Sequence, residues 1–209
     1  MIVLDIETSG INPENCGIWQ IGAIELENPE NTFLQEGRID DKDLIEESAL
    51  LVTGKTKEYL LDKNRQSEKD LLNNFFKWVE NVKIRNCICQ NPQFDLGFVN
   101  LKIRKYGLEN FLPHRAFDLH SCAQMKYFQL NNSFLFDKNQ SKMNLTNILD
   151  FCGIKDERRH VEGIELISYG KEHNALEDCK LTGECFSRIF YGKNLFQDFS
   201  KFPIPEYLK

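Results

Sequence analysis

The sequence predicts an α/β fold in which a mixed central β-sheet is flanked by α-helices. Strand-like segments come first and are joined by short turns, and strand and helix patterns then alternate along the chain. The 209 residues, 41% of them hydrophobic, are enough to bury the core of one large domain. We therefore expect one domain over residues 1–190, followed by a C-terminal tail at 191–209 that contains aromatic residues and proline.

The first segments predict an antiparallel meander. Residues 1–10 combine branched apolar side chains with two acids, and residues 18–26 form a second apolar strand. Residues 28–31 carry turn chemistry, so the third strand is expected at 32–39.

Helices and strands alternate in the rest of the chain. Helical periodicity predicts helices at about 40–61 (broken at Thr53-Gly54), 67–79, 94–106, 119–130, 145–152 and 175–190. Short apolar runs predict strands at about 84–90, 115–118 and 164–167. Residues 131–144 are polar and predict a mobile surface loop, whereas the tail either packs back on the body or engages a partner.

The charge and the cysteines narrow the class of protein. Lys and Arg number 26 against 32 Asp and Glu, and a net charge of −6 argues against a protein that coats long nucleic acids. No apolar run reaches the length of a membrane span, and no signal-peptide pattern opens the chain. The seven scattered cysteines favour a reducing, cytoplasmic compartment. Cys87 and Cys89 are either a zinc-ligand pair or, as their apolar neighbours favour, two buried small residues.

Two acids interrupt the first strand. Asp5 and Glu7 are two residues apart, so their side chains share one face of the strand. Side-by-side carboxylates repel each other and lose solvation, a cost that a hard divalent cation removes. The alternative is an exposed edge strand on which both acids are solvated.

A third acid lies at the start of the helix predicted after residue 91. Asp95 precedes Phe98 and Val99 by three and four residues, so it shares the face that they turn toward the core. Stabilisation by the helix N-terminus is an equally local explanation for this acid. Asn91 and Phe94, taken singly, read as a turn residue and a core aromatic.

The last signal lies at the start of the long C-terminal helix. Asn174 followed by Glu177 is a capping pattern, which places His173 just before the cap and Asp178 in the first turn. These two positions meet across a helix cap, so His173 and Asp178 are expected over one site. The only cations at a suitable local spacing from this inward acid are Lys171 and Lys180.

Together these segments resemble the DnaQ-like, DEDDh-type 3′–5′ exonuclease family, which includes the proofreading subunit of bacterial DNA polymerase III. The motifs are Asp5-Ile-Glu7-Thr-Ser-Gly, Asn91-Pro-Gln-Phe-Asp95 and His173-Asn-Ala-Leu-Glu-Asp178, in that order. The resemblance covers about residues 1–190 and implies an RNase H-like fold whose first strand carries the first two acids.

The resemblance also implies a site and a reaction. Two divalent cations, Mg²⁺ or Mn²⁺, would be held by four acids: Asp5, Glu7, Asp95 and Asp178. His173 would act as general base, and nucleoside 5′-monophosphates would leave from a 3′ end. The implied substrate contacts are Thr8, Asn91 and Phe94.

Several alternatives stay open at this point. DNA is favoured as the substrate, but the same motifs occur in exoribonucleases of RNA maturation or turnover. A non-catalytic module that binds nucleic acid or protein is a further alternative, and the tail is a candidate contact with a polymerase. The segment 155–172 is longer and more charged than is usual in the family. Its Arg158 and Arg159 are interpreted as solvated charges or as contacts with the backbone of the nucleic-acid substrate, and its His160 is a less suitable base than His173.

Overall fold

A five-stranded mixed sheet forms the centre of the protein, for which a computed structural model describes all residues 1–209. The strand order is β3-β2-β1-β4-β5, with antiparallel pairing from β3 to β1 and parallel pairing from β1 to β5. The strands are β1 Ile2–Thr8, β2 Ile18–Glu25, β3 Asn28–Glu36, β4 Cys87–Cys89 and β5 Phe117–Asp118. The predicted α/β fold is confirmed. Because β1 is the middle strand, the interpretation of Asp5 and Glu7 as residues of an edge strand is wrong.

Seven α-helices surround the sheet. They are α1 Glu47–Thr53, α2 Lys57–Leu60, α3 Glu68–Glu80, α4 Pro92–Tyr106, α5 Leu119–Asn131, α6 Leu145–Phe151 and α7 Ala175–Tyr191. Two small hairpins lie outside the central sheet: β6 Phe136–Asp137 with β7 Gln140–Ser141, and β8 His160–Glu162 with β9 Glu165–Ser168. Two 3₁₀-helices follow in the tail, at Gln197–Lys201 and Glu206–Leu208.

Several sequence predictions differ from these boundaries. The helix expected at about 40–61 begins only at Glu47. Residues 28–31 belong to β3, because the turn is the two-residue step between Glu25 and Asn28. Pro29 is tolerated there since β3 is an edge strand, where a missing backbone N–H need not break a ladder. The polar loop at 131–144 contains the β6–β7 hairpin, and the strand expected at 164–167 is β9, one residue later.

Two apolar cores lie on opposite faces of the sheet. In β1 the side chains of Leu4 and Ile6 enter the first core, together with residues of α3 and α4. Val3, on the other face, enters the second core with residues of α5, α6 and α7. The alternation along β1 therefore fixes which helices its acids meet, because Asp5 and Glu7 share the face of Val3.

The C-terminal tail packs on the second core. Phe196, Phe199 and Phe202 contact that core, and the Arg188 side chain, 0% exposed, anchors the tail. Its guanidinium pairs with Glu184 at 2.8 Å and donates hydrogen bonds to the carbonyl oxygens of Phe199 and Phe202, both at 3.0 Å. The sequence left two possibilities for the tail, and the structure shows the one in which it packs against the body of the protein.

The cysteines are structural in character. All seven are free, and six of them are buried. Burial raises the pKa of the Cys87 thiol to about 12, so the thiolate that zinc binds is disfavoured. Cys87 and Cys89 belong to the first core and not to a group of metal ligands. None of the helices has both the length and the apolar surface needed to cross a bilayer.

Candidate active site

The first two acids lie at the carboxyl-terminal half of β1, in the middle of the sheet. Glu7 is buried and Asp5 is partly buried. Burial, followed by the charges of Asp95, Asp178 and Glu7, raises the pKa of Asp5 well above its usual value. Burial, followed by the charges of Asp178 and Asp95, raises the pKa of Glu7 as well. The pair is therefore desolvated, as the predicted cation site requires.

Helix α7 brings Asp178 to this pair because Gly22 lets the helix approach the sheet. Gly22 lies opposite Asp5 in the β1–β2 register, and a Cβ atom on it would fall 2.3 Å from the backbone carbon of Ala175. The Gln20 side chain accepts a hydrogen bond from the Ala175 N–H at 2.8 Å and fixes the helix start. The β2 strand thus holds the first turn of α7 against Asp5.

The cap of α7 has the predicted form. Asn174 is the N-cap, and its side chain accepts hydrogen bonds from the N–H groups of Leu176 and Glu177. Across this cap the Nδ1 atom of His173 lies 3.2 Å from Oδ2 of Asp178, which confirms that the two residues meet. The other ring nitrogen, Nε2, lies 3.0 Å from the carbonyl oxygen of Arg159. Both ring nitrogens of His173 therefore have partners.

Asp95 reaches the site from the other side. Because β4 runs parallel to β1, helix α4 begins beside the carboxyl end of β1. Asp95 is buried in the first turn of α4, whereas Asn91 is the N-cap residue and makes no side-chain cap bond. Burial, aided by the charge of Asp178, raises the pKa of Asp95 to about 7. The helix start alone would lower this pKa, so the acid is more than a local stabiliser of α4.

Arg158 is the residue that sequence reasoning placed wrongly. Its side chain is 11% exposed, and it forms a bidentate pair with Asp156 at 2.9 and 3.0 Å. A third guanidinium contact, 3.3 Å long, reaches Asp178. Burial lowers the pKa of Arg158, but the bonds to Asp156 and Asp178 outweigh it and raise the pKa overall. The interpretation of this arginine as a solvated charge is wrong.

The other charges near the motif have separate partners. Lys171 pairs with Glu157 at 3.0 Å and Lys180 with Glu177 at 2.7 Å, so neither neutralises Asp178. Arg159, 20% exposed, donates a hydrogen bond to the carbonyl oxygen of Leu51. His160 lies 3.7 Å from Asp156, outside the acid cluster.

The donor set suits a hard divalent cation. One ligand atom each from Glu7, His173 and Asp178 lie within 4.8 Å of one another. Asp5 and Asp95 lie outside this tightest group, although the charge of Asp95 raises the pKa of both Asp5 and Glu7. Carboxylate oxygens are the ligands that Mg²⁺ and Mn²⁺ prefer, and clustered acids that are withdrawn from solvent gain most from such a charge.

A cavity of about 500 Å³ opens beside Glu7. Two of the three predicted substrate contacts, Thr8 and Phe94, line it, while Asn91 lines a neighbouring groove with Gln93. Residues of three further segments complete the cavity; they include Ile11, Glu46, Val52, Val161 and Ile164. The sequence did not indicate that these residues belong to the site. The only sequence signal for Val161 and Ile164 is an apolar stretch within a charged segment.

Comparison with known proteins bears directly on this arrangement. The model of the RNase_T exonuclease family matches residues 2–186. That span contains all four acids, His173 and every strand of the sheet.

Two relatives illustrate the likeness in sequence. DNA polymerase III subunit epsilon of Buchnera aphidicola subsp. Baizongia pistaciae is 34% identical over 110 residues, covering 49% of this chain and 42% of that protein. DNA polymerase III PolC-type of Thermotoga petrophila is 27% identical over 189 residues, covering 90% of this chain and 12% of that protein. The chain thus spans less than half the length of either relative.

A solved structure extends the comparison to the fold. The nuclease domain of 3′hExo, a DEDDh family member bound to rAMP, superposes with a TM-score of 0.63 at 17% sequence identity. The superposition covers 98% of this chain and 95% of that domain. The mixed sheet and its flanking helices thus share the fold of that nuclease domain.

Proposed function

This chain belongs to the RNase_T exonuclease family, and on that premise we propose that it hydrolyses phosphodiester bonds from the 3′ end of a nucleic acid. The products would be nucleoside 5′-monophosphates. The observation that carries the proposal is the cluster of Glu7, His173 and Asp178, with Asp5 and Asp95 near enough to interact with it by charge, beside a cavity of about 500 Å³ that Glu7 lines. A volume of this size is typical of a pocket that takes one small ligand, such as a single nucleotide.

Two divalent cations, Mg²⁺ or Mn²⁺, are the proposed cofactors, held by Asp5, Glu7, Asp95 and Asp178. Four carboxylates and two such ions make a site that is neutral overall, which lets an acidic protein accept a phosphodiester. When bound, ions of this kind activate water and stabilise negative charge on a leaving oxygen. The raised pKa of Asp5, of Glu7 and of Asp95 supports the assignment, because desolvated acids gain most from cations.

His173 is the proposed general base. An imidazole accepts a proton near neutral pH, and Asp178 at 3.2 Å from Nδ1 would orient the ring. A general base needs one unengaged nitrogen. We therefore propose that the contact between Nε2 and the Arg159 carbonyl opens when substrate is bound. Arg158 would then be one of the groups that balance the charge of Asp178.

DNA is the favoured substrate, because the relatives with the higher sequence identity are components of DNA polymerase III. A 3′–5′ exoribonuclease is the second candidate. It is favoured by the superposed nuclease domain, whose bound ligand is rAMP. The two differ in a 2′-hydroxyl, so the choice depends on a few contacts in the cavity.

Association with a DNA polymerase is a further proposal, taken from the same relatives. We propose that residues 1–190 form the nuclease domain and that 191–209 would offer only its outer surface to such a partner. Phe196, Phe199 and Phe202 already pack on the second core, whereas Tyr207 is exposed. A cytoplasmic location agrees with seven free cysteines.

The test is a time course on 5′-labelled and 3′-labelled DNA and RNA oligonucleotides with Mg²⁺, Mn²⁺ or EDTA. We expect a ladder of shortened 5′-labelled products, immediate release of labelled mononucleotide from 3′-labelled strands, and no reaction in EDTA. His173→Ala and Asp5→Ala should each lower kcat by at least about a hundredfold. His114→Ala is the matched control, since His114 is exposed and remote from the acid cluster in the fold.

Each contrary result has a distinct meaning. Full activity of His173→Ala or Asp5→Ala would refute the mechanism. Binding of oligonucleotides without any cleavage by the wild-type protein would instead favour the non-catalytic module.

A further inference from the structure

The β8–β9 hairpin is a small structure separate from the central sheet. Glu162 pairs with Glu165, so the loop between the strands is the two-residue step Gly163-Ile164. Gly163 has a φ of +61°, the conformation that the first loop residue of a type II′ hairpin turn requires. This turn places Ile164 at the tip of the hairpin.

The stem of the hairpin is attached to the active site. The N–H of Arg159 donates to the carbonyl oxygen of Lys171 at 2.7 Å, and the N–H of Lys171 donates to Glu157 at 2.8 Å. A Cβ atom on Gly170 would fall 2.1 Å from the Arg158 carbonyl oxygen, so the two sides of the stem meet closely. Because Arg158 contacts Asp178, the stem and the catalytic acids are one packed unit.

The tip borders the cavity beside Glu7. Val161, Gly163 and Ile164 line this cavity on one side, and Phe94 and Ile6 line it too. Ile164 is nonetheless 69% exposed. An apolar side chain that lines a cavity and remains exposed has surface to bury against a ligand.

The exposed isoleucines of the hairpin differ in whether they line the cavity. Ile167, on β9, is 59% exposed and does not line the cavity. Exposed isoleucines therefore lie both at the tip and on β9, whereas only Val161 and the tip line the cavity. The two isoleucines provide a matched pair for an experiment.

We propose that Val161 and Ile164 form a wall against which the base of the 3′-terminal nucleotide packs. The inference rests on the proposed function and names two specificity-determining residues for it. Apolar walls pack on the π-face of any base and read no hydrogen-bonding pattern, so the site accepts all four bases and binds purines more tightly. The hairpin tip thus favours a purine at the 3′ terminus without selecting a particular sequence.

The test uses dAMP and dCMP with Mg²⁺, because a mononucleotide occupies the cavity without the rest of the strand. Isothermal titration calorimetry should show that Ile164→Ser raises the Kd for dAMP about tenfold and the Kd for dCMP less. Val161→Ser should act in the same direction. Ile167→Ser should leave both constants within about twofold of wild type.

Steady-state kinetics provide the second readout. On a DNA oligonucleotide, Ile164→Ser should raise KM and change kcat little, and its melting temperature should match that of Ile167→Ser. Equal dAMP binding by Ile164→Ser and wild type would overturn the inference while the wild-type exonuclease activity stands. A wild-type protein that cleaves no 3′ end would overturn the proposed function itself.

Discussion

Asp95 should make the metal-free protein less stable as the pH rises from about 4 to about 7. Burial and the charge of Asp178 raise the pKa of this acid from 3.8 to about 7 in the folded protein. Below about pH 4 the group is protonated in both states, and its contribution to stability is fully present. Between the two values the folded state keeps a proton that the unfolded chain has lost. Raising the pH therefore favours unfolding until the folded pKa is passed.

The structure sets the size of this effect. A rise in pKa from 3.8 to about 7 corresponds to about 4 kcal/mol between the pH extremes. For a chain of 209 residues that is a change in melting temperature on the order of 10 °C. The pKa of Asp5 and that of Glu7 are raised by burial too, so their contributions have the same sign.

The perturbation is Asp95→Asn, which keeps the shape of the side chain and removes its titration. Melting temperatures measured in EDTA from about pH 5 to about pH 8 should fall more steeply for wild type than for the variant. Mg²⁺ should flatten the wild-type curve, because a bound cation stabilises the ionised acids. Asp41→Asn, at an exposed acid, is the control and should follow wild type. Parallel curves for wild type and Asp95→Asn in EDTA would refute the reasoning.

Two further predictions concern arginines that pair with acids. Arg158→Gln should lower the free energy of unfolding in EDTA by about 3 kcal/mol, because Asp156 and Asp178 lose their cation, and Mg²⁺ should restore more stability to this variant than to wild type; equal stabilisation of both proteins by Mg²⁺ would contradict it. Arg188→Met should cost about 3–5 kcal/mol in urea unfolding, because the buried Glu184 carboxylate loses its cation and keeps only the backbone N–H groups of Leu195 and Phe196. Adding Glu184→Gln should recover part of this loss, and strictly additive effects in the double variant would argue against the pair.

The sequence carried the local part of the site well. Strand alternation put Asp5 and Glu7 on one face, and the cap at Asn174 brought His173 to Asp178. Both inferences depend on residues at most five apart, where backbone geometry alone decides the outcome. The family resemblance then indicated that these separate segments come together in one site.

Contacts between distant segments were beyond that reasoning. Arg158 meets Asp178 although the two are 20 positions apart in the chain, so no spacing rule relates them. Gly22 looks like any glycine in a strand until the register places it opposite Asp5 and against Ala175. The tip of the β8–β9 hairpin lines the cavity only because its stem is held by tertiary contacts.

The clustering of four acids explains both the expected instability of the metal-free protein and the proposed binding of cations. Four acids gathered in a desolvated place cannot all ionise without compensation. The fold compensates in two ways: Arg158 pairs with Asp178, and burial raises the pKa of Asp5, of Glu7 and of Asp95. A divalent cation bound as proposed would replace both of these effects, and by linkage its binding free energy would add to the stability of the fold. Asp95→Asn removes one of these charges in the absence of metal. It should therefore raise the stability of the metal-free protein and lower its affinity for Mg²⁺. Melting temperatures of this variant in EDTA and in Mg²⁺ test both effects together.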